Sequence, residues 1–166
     1  VRDARINMIY EGTNTIQSLD LLGRKVLGNQ GATLKKFGAH ITELVMAEQG
    51  NEDMAEFINP LAKLGQQMTQ FTGEIGYKAL QNADEVGAAA VDYLRVAGHL
   101  VFGYFWARMA QVALQKIAEG NRDTFYQAKL QTARFYFAKL FPETASLMAT
   151  ARAGSAVLME TDAVFA

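Results

Sequence analysis

One short stretch of this chain holds residue types that can do chemistry together. Tyr10-Glu11-Gly12-Thr13 sets a carboxylate directly before a glycine, and an apolar-periodic run follows. Gly12 has no Cβ, so the backbone there can approach a ligand closely. Thr13 reads as a helix N-cap whose hydroxyl accepts from a backbone N–H two or three residues on. The helix start beyond it offers free N–H groups to an anion or a carbonyl oxygen. A carboxylate in that place becomes a general base when a ligand desolvates it. The plainer role for the same residues is a glutamate stabilised by the dipole of the following helix, and residue chemistry alone favours it.

Outside this stretch the chain has little catalytic look. It has no cysteine, so a disulfide framework, a thiolate metal site and a cysteine nucleophile are excluded. Its two histidines, His40 and His99, are far apart in sequence, and no metal site is expected. His99 lies in an apolar stretch and reads as a core or interface histidine with a satisfied ring. Trp106 with Phe102, Tyr104 and Phe105 reads as core or an inter-domain surface. Tyr126, Phe135, Tyr136, Phe137 and Phe141 read as core. Arg122 with Asp123, and Lys129 with Arg134, read as a solvated or salt-bridged face.

The elements that must position these residues are helices. Apolar spacing of three and four recurs along the chain and strand-like alternation is nearly absent. The expected fold is all-α, an up-and-down helical bundle of four to five main helices with an additional N-terminal segment. The first helix is expected over 13–27, with Gly28 as the C′ residue that ends it. A second is expected over 33–49, followed by a short helical turn over 53–57. Asn59-Pro60 is expected to restart the chain, Asn59 as cap and Pro60 at the first helical position, with a third helix running to Asn82. The fourth and longest is expected over 84–119, buried all round at its centre over 100–107. A fifth is expected from Asp123 to Phe141, and Pro142 opens a last one to Ala153.

The chain has 166 residues, half of them apolar, which suits one domain with a sizeable core. Sixteen basic residues against seventeen acidic give a net charge of −1, against the basic excess of a nucleic-acid protein. The longest central stretch without a formal charge is too short for a transmembrane helix. The run Leu100 to Ala107 is apolar enough to meet a membrane, but its helix lacks a basic face opposite an apolar one, so membrane association is disfavoured. No signal peptide is expected either, and a start at Val1 suggests a processed product or a piece of a longer chain.

The stretch from Arg2 to Lys25, RDARINMIYEGTNTIQSLDLLGRK, resembles the C-terminal signature of acyl-CoA dehydrogenases. Looser similarity follows at Tyr93-Leu94, Arg108-Met109-Ala110, Phe125 to Leu130 and Thr132 to Tyr136. These segments resemble the helical domain appended to long bacterial members of that family. The resemblance implies a division into the end of the catalytic helical domain (1–28), an appended C-terminal helical bundle (31–155) and a tail (156–166). It implies FAD as cofactor and an acyl-CoA thioester as substrate, oxidised to a trans-2-enoyl-CoA. It implies Glu11 as the catalytic base, Thr13 and Thr15 beside the flavin, and Tyr10 and Gly12 at the acyl-CoA. Electron-transferring flavoprotein as partner, a homo-oligomeric state and a cytoplasmic location are implied as well. Arg2, Asp3 and Arg5 are expected as a structural ion-pair cluster. The chain departs from the family at Gly23, where some members carry an arginine toward CoA. A β-like domain is lacking, so the chain alone is expected neither to hold FAD nor to turn over acyl-CoA. The alternative is a helical interaction module that packs on a catalytic body or a second subunit.

Overall fold

Two of the long helices start by the same device. The Asn51 side chain accepts from the backbone N–H of Asp53, and the Asp123 side chain accepts from that of Phe125. Each satisfies one of the amides that a helix start leaves free. The computed structural model describes residues 2–9 and 12–160 and contains no strand among them. The helices are α1 (Asn14–Leu19), α2 (Ala32–Ala47), α3 (Glu52–Gln81), α4 (Asp84–Ala118), α5 (Thr124–Phe135), α6 (Glu143–Arg152) and a short α7 (Ala156–Met159). The all-α bundle expected from the sequence is what the structure shows.

α4 is the hub. It packs against α3, α5, α6 and α1. Its buried side is built of small residues, Ala89, Ala90, Ala107, Ala110 and Ala113, with Tyr93, Val96 and Leu100. Small residues let neighbouring backbones come close. At Gly103 the approach is closest: a Cβ there would sit 2.6 Å from the Phe141 ring. Phe141 in turn packs on Phe137, which meets Phe57 edge-on at 5.5 Å. The other end of the core pairs Phe71 with Tyr93, whose hydroxyl is bonded to that of Thr72 at 2.8 Å.

Four sequence expectations are corrected. Helix α3 is continuous through Pro60, and its cap is Asn51 rather than Asn59. In an ordinary helix interior a proline, which removes one intrahelical bond and crowds the preceding turn, costs about 3 kcal/mol. Phe57, Leu61 and Leu64 flank it and are fully buried, and that burial outweighs the loss. Gly28 does not end the first helix. The chain passes through a π-helical segment (Asp20–Val26) and a 3-10 turn (Leu27–Asn29), and the left-handed residues are Gln30 and Gly31. The centre of α4 is not buried all round: Phe102 is 60% and Phe105 54% exposed. Phe135 is exposed too rather than in the core. In both cases the composition is apolar, but no described element covers that face.

Leu22 and Val26, from the first segment, join the same core as the helices after Gly31. At the other end Ser155 is buried, with its amide and hydroxyl both donating to Glu85 while the hydroxyl accepts from Asn82. The bundle is thus tied near Leu22 and Val26 on one side and at Ser155 on the other.

Candidate functional site

Gly12 and Thr13 are consecutive residues in the left-handed region, at φ 117° and 54°. The first value suits glycine; the second costs a β-branched residue about 1 kcal/mol. Two such residues in a row turn the chain sharply just before α1. Thr13 is the N-cap, as expected, but its hydroxyl makes no capping bond; its carbonyl accepts from the Gln17 amide at 2.8 Å instead. The left-handed backbone is what separates the hydroxyl from the helical amides. Thr15 lies one residue into α1, and its carbonyl accepts from the buried Ser18 hydroxyl at 2.7 Å. Both threonine side chains are exposed. Tyr10 and Glu11 lie outside the described residues.

The surface around this turn is open and apolar. Met8, Ile9 and Ile16 are all more than 60% exposed. Arg2, Asp3 and Arg5 are exposed and form no ion pair with one another, so the expected cluster is not present among the described residues. Position 23 faces α4: a Cβ on Gly23 would meet Val86 at 3.6 Å. Arg24 is held by Asp20, which also binds Lys25 at 2.9 Å. These two cations keep the Asp20 carboxyl low, at about 2. The basic residues next to Gly23 are therefore engaged locally.

A large cleft lies elsewhere. It has a volume of about 1520 Å³ and runs between α2 and α3, past Leu34, Ile41, Val45, Ala62, Gly65 and Met68. Neither Thr13 nor Thr15 lines it; Lys35, Glu43 and Glu52 lie along it beside the apolar residues. No group of three or more His, Asp or Glu among the described residues could hold a metal ion. No helix among them is long and apolar enough to cross a membrane.

One polar constellation escaped the sequence reading except for its central residue. His99 was expected to have a satisfied ring, and both nitrogens are bonded: Nδ1 to the Tyr136 hydroxyl and Nε2 to Glu143 Oε2, each at 2.9 Å. Arg95 binds the other Glu143 oxygen. The His99 bond, then the Arg95 charge, hold Glu143 below its ordinary value, while burial pushes Tyr136 up to about 12. The network joins α4 to the segment after α5 and to the start of α6. Trp106 stacks over Tyr136 with ring centroids 6.2 Å apart, and every partner in the cluster comes from the bundle itself, so the cluster reads as a staple of the bundle.

Comparison with known proteins bears on the bundle. A family model described as "Acetyl-CoA dehydrogenase C-terminal like" matches residues 31–162. A broad-specificity linear acyl-CoA dehydrogenase of Mycobacterium tuberculosis is 30% identical over 151 residues, 86% of this chain and 25% of that protein. A 3-methylmercaptopropionyl-CoA dehydrogenase of Ruegeria pomeroyi is 33% identical over 147 residues, 86% of this chain and 24% of that protein. A butyryl-CoA dehydrogenase of Syntrophomonas wolfei is 29% identical over 148 residues, with 85% and 24% covered. The chain spans about a quarter of the length of these relatives.

Proposed function

This chain belongs to the acetyl-CoA dehydrogenase C-terminal-like family, and from that premise we propose that it forms the C-terminal part of a FAD-dependent acyl-CoA dehydrogenase. The carrying observation is continuity: the YEGT segment at 10–13 leads through one short helix into the region the family model matches, 31–162. The boundaries proposed are 1–28 for the end of the catalytic domain, 31–155 for the appended bundle and 156–166 for a tail. They mark descent rather than separate packing, since Leu22 and Val26 share the core of the bundle.

Glu11 is the proposed base that takes the α-proton of the acyl thioester. Such a proton is weakly acidic, so the base must be desolvated by the bound substrate to be strong enough. Gly12, with its left-handed backbone and no side chain, lets the acyl group lie close to the base. Tyr10 would line the same acyl site. FAD, when bound, accepts the β-hydrogen as hydride, and the product is a trans-2-enoyl-CoA. Thr13 and Thr15 fit one edge of a flavin site: both side chains are exposed beside the turn, and neither is spent on capping the helix. They supply only that edge, and neither lines the cleft between α2 and α3. The chain by itself is accordingly proposed to be inactive. CoA is proposed to be held elsewhere, since Gly23 faces Val86 and Arg24 is bound to Asp20. A cytoplasmic location, a homo-oligomer and electron transfer to an electron-transferring flavoprotein complete the reading.

A second reading is favoured by the apolar open face of α4. Residues from 31 onward then serve as an assembly module rather than as part of the catalytic machinery. Both readings are tested on the native polypeptide, isolated from source cells with an antibody to this sequence. A yellow protein several-fold larger than 18.2 kDa, bleached by one of a panel of acyl-CoA thioesters, is the expected result. A colourless polypeptide that no acyl-CoA alters would leave only the assembly role.

A further inference from the structure

Between α1 and α2 the backbone is wound more widely than an α-helix. The Leu27 amide donates to the carbonyls of Leu22 and Gly23, and the Gly31 amide donates to that of Val26 at 2.8 Å. Bonds that span five residues thus join those that span four. The buried residues account for this winding. Ser18, Leu22 and Val26 are spaced by four, and each is at most 5% exposed. In an α-helix, positions four apart step about 40° around the axis, so the three would drift about 80° from one line. The wider turn over Asp20–Val26 rotates less per residue and keeps them against the bundle.

The same segment is seated on α3 and α4 by close approaches. A Cβ at Gly23 would meet Val86 of α4 at 3.6 Å, and one at Gly28 would stand 3.3 Å from the Gly23 carbonyl oxygen. The second approach is the wide turn itself: that carbonyl leans over the place a side chain at 28 would take. On α3, a Cβ at Gly76 would stand 3.3 Å from Leu27 Cδ2. Glycine is disfavoured against alanine inside a helix, and at 76 the notch for Leu27 accounts for it. Because Gly23 meets Val86 close to the start of α4, α1 lies further along α4 and runs antiparallel to it. Helical backbone continues without a break from Asn14 to Asn29, so a shift at Leu27 is carried to the turn at Gly12 and Thr13.

We propose that the bundle positions the catalytic base through this seat. Leu27 in the Gly76 notch fixes the helical segment 14–29, and with it the Gly12-Thr13 turn to which Glu11 is joined. This rests on the reading of Glu11 as the base, and it gives the region after Gly31 a part in the reaction itself. Gly76 acts through Leu27 and is a positioning residue.

The test uses the full-length native enzyme and an acyl-CoA thioester that it turns over, with rates counted per bound flavin. Gly76→Val is expected to lower kcat and exchange of the substrate α-proton with deuterated solvent together, by about tenfold or more, because a misplacement near 1 Å suffices for such a loss. KM is expected to stay within about twofold, as when an interaction made only in the transition state is lost. Adding Leu27→Ala empties the notch and is expected to restore most of the rate. Where Gly76→Val fails to hold flavin, Gly76→Ala takes its place: it asks Leu27 to give by a few tenths of an ångström, and its smaller loss is expected to vanish with Leu27→Ala too. In a Glu11→Gln background, Gly76→Val is expected to change the rate no further, since the group it positions is gone. Position 76 variants that melt earlier yet keep the full rate per flavin would overturn the proposal, and so would a loss of equal size with and without Glu11. A Glu11→Gln enzyme as fast as the unaltered one would refute the base and the proposal with it, a result told apart because it does not involve position 76.

Discussion

Replacing His99 by leucine is the sharpest probe of how the bundle is held together. The substitution keeps the volume roughly constant and removes both ring nitrogens. The Tyr136 hydroxyl then loses its 2.9 Å partner, and Tyr136 is only 7% exposed. A buried hydroxyl without a partner costs about 1–3 kcal/mol. The His99 carbonyl stands 3.5 Å from that hydroxyl and offers a weak substitute, which places the expected cost in the lower half of that range, near 1.5 kcal/mol. Glu143 keeps Arg95 and contributes little to the loss. For a chain of this size the change lowers Tm by about 3–6 °C. The decisive quantity is the coupling with Tyr136→Phe. Alone, that variant leaves His99 Nδ1 unpaired and costs about 1 kcal/mol. In the leucine background it removes the stranded hydroxyl and regains about 1 kcal/mol. A double-mutant cycle by urea unfolding is expected to give about 2 kcal/mol of coupling. Coupling below about 0.3 kcal/mol would show that the two side chains act independently and refute the staple.

Two further predictions concern packing and pH. Gly103→Ala places a methyl 2.6 Å from the Phe141 ring, which is itself buried. It is expected to cost about 1–3 kcal/mol by overpacking, against a gain of up to about 1 kcal/mol in helix propensity; a stabilised variant in thermal melts would contradict the close approach. Glu74, Glu85 and Glu143 all lie below their ordinary value of 4.5, because of bonds from Arg152, Ser155 and His99 respectively. Carboxylates lowered in the folded state stabilise it fully above the unfolded value and lose that contribution as pH falls through the folded one. Tm is therefore expected to be insensitive to these groups from neutrality to about pH 5 and to drop below it. Glu85→Gln should make that acid limb shallower; an unchanged limb would show that the Ser155 bonds do not lower Glu85.

Much of the helical frame is legible in the residues themselves. The extent of α4 follows from the unbroken apolar spacing between Ala83 and Gly120, and Asp123 announces α5 by its capping side chain. Pro60 misleads, because a local rule about helix starts is overridden by burial of Phe57 and Leu61 on either side. The open face of α4 misleads in another way: an apolar residue that is covered and one that waits for a partner look alike in a sequence. His99 could be assigned a satisfied ring from its apolar surroundings. Its partners, 37 and 44 residues further on, come to it only through the packing of three helices. At the candidate site the motif is readable residue by residue. The left-handed backbone at Thr13 is not, because threonine gives no sign of it and only Gly12 hints at the turn.

The direct test of the central proposal is exchange of the substrate α-proton with deuterated solvent in the native polypeptide, comparing the unaltered protein with Glu11→Gln. The amide cannot accept the proton, while the side chain keeps its size. With a bleachable flavin present, the unaltered protein is expected to exchange the α-proton and reduce the flavin. The variant is expected to retain the flavin and lose at least a hundredfold in both rates, as removal of a general base does. Exchange at the unaltered rate in Glu11→Gln would contradict the assignment of the base, and with it the proposed role of the YEGT segment.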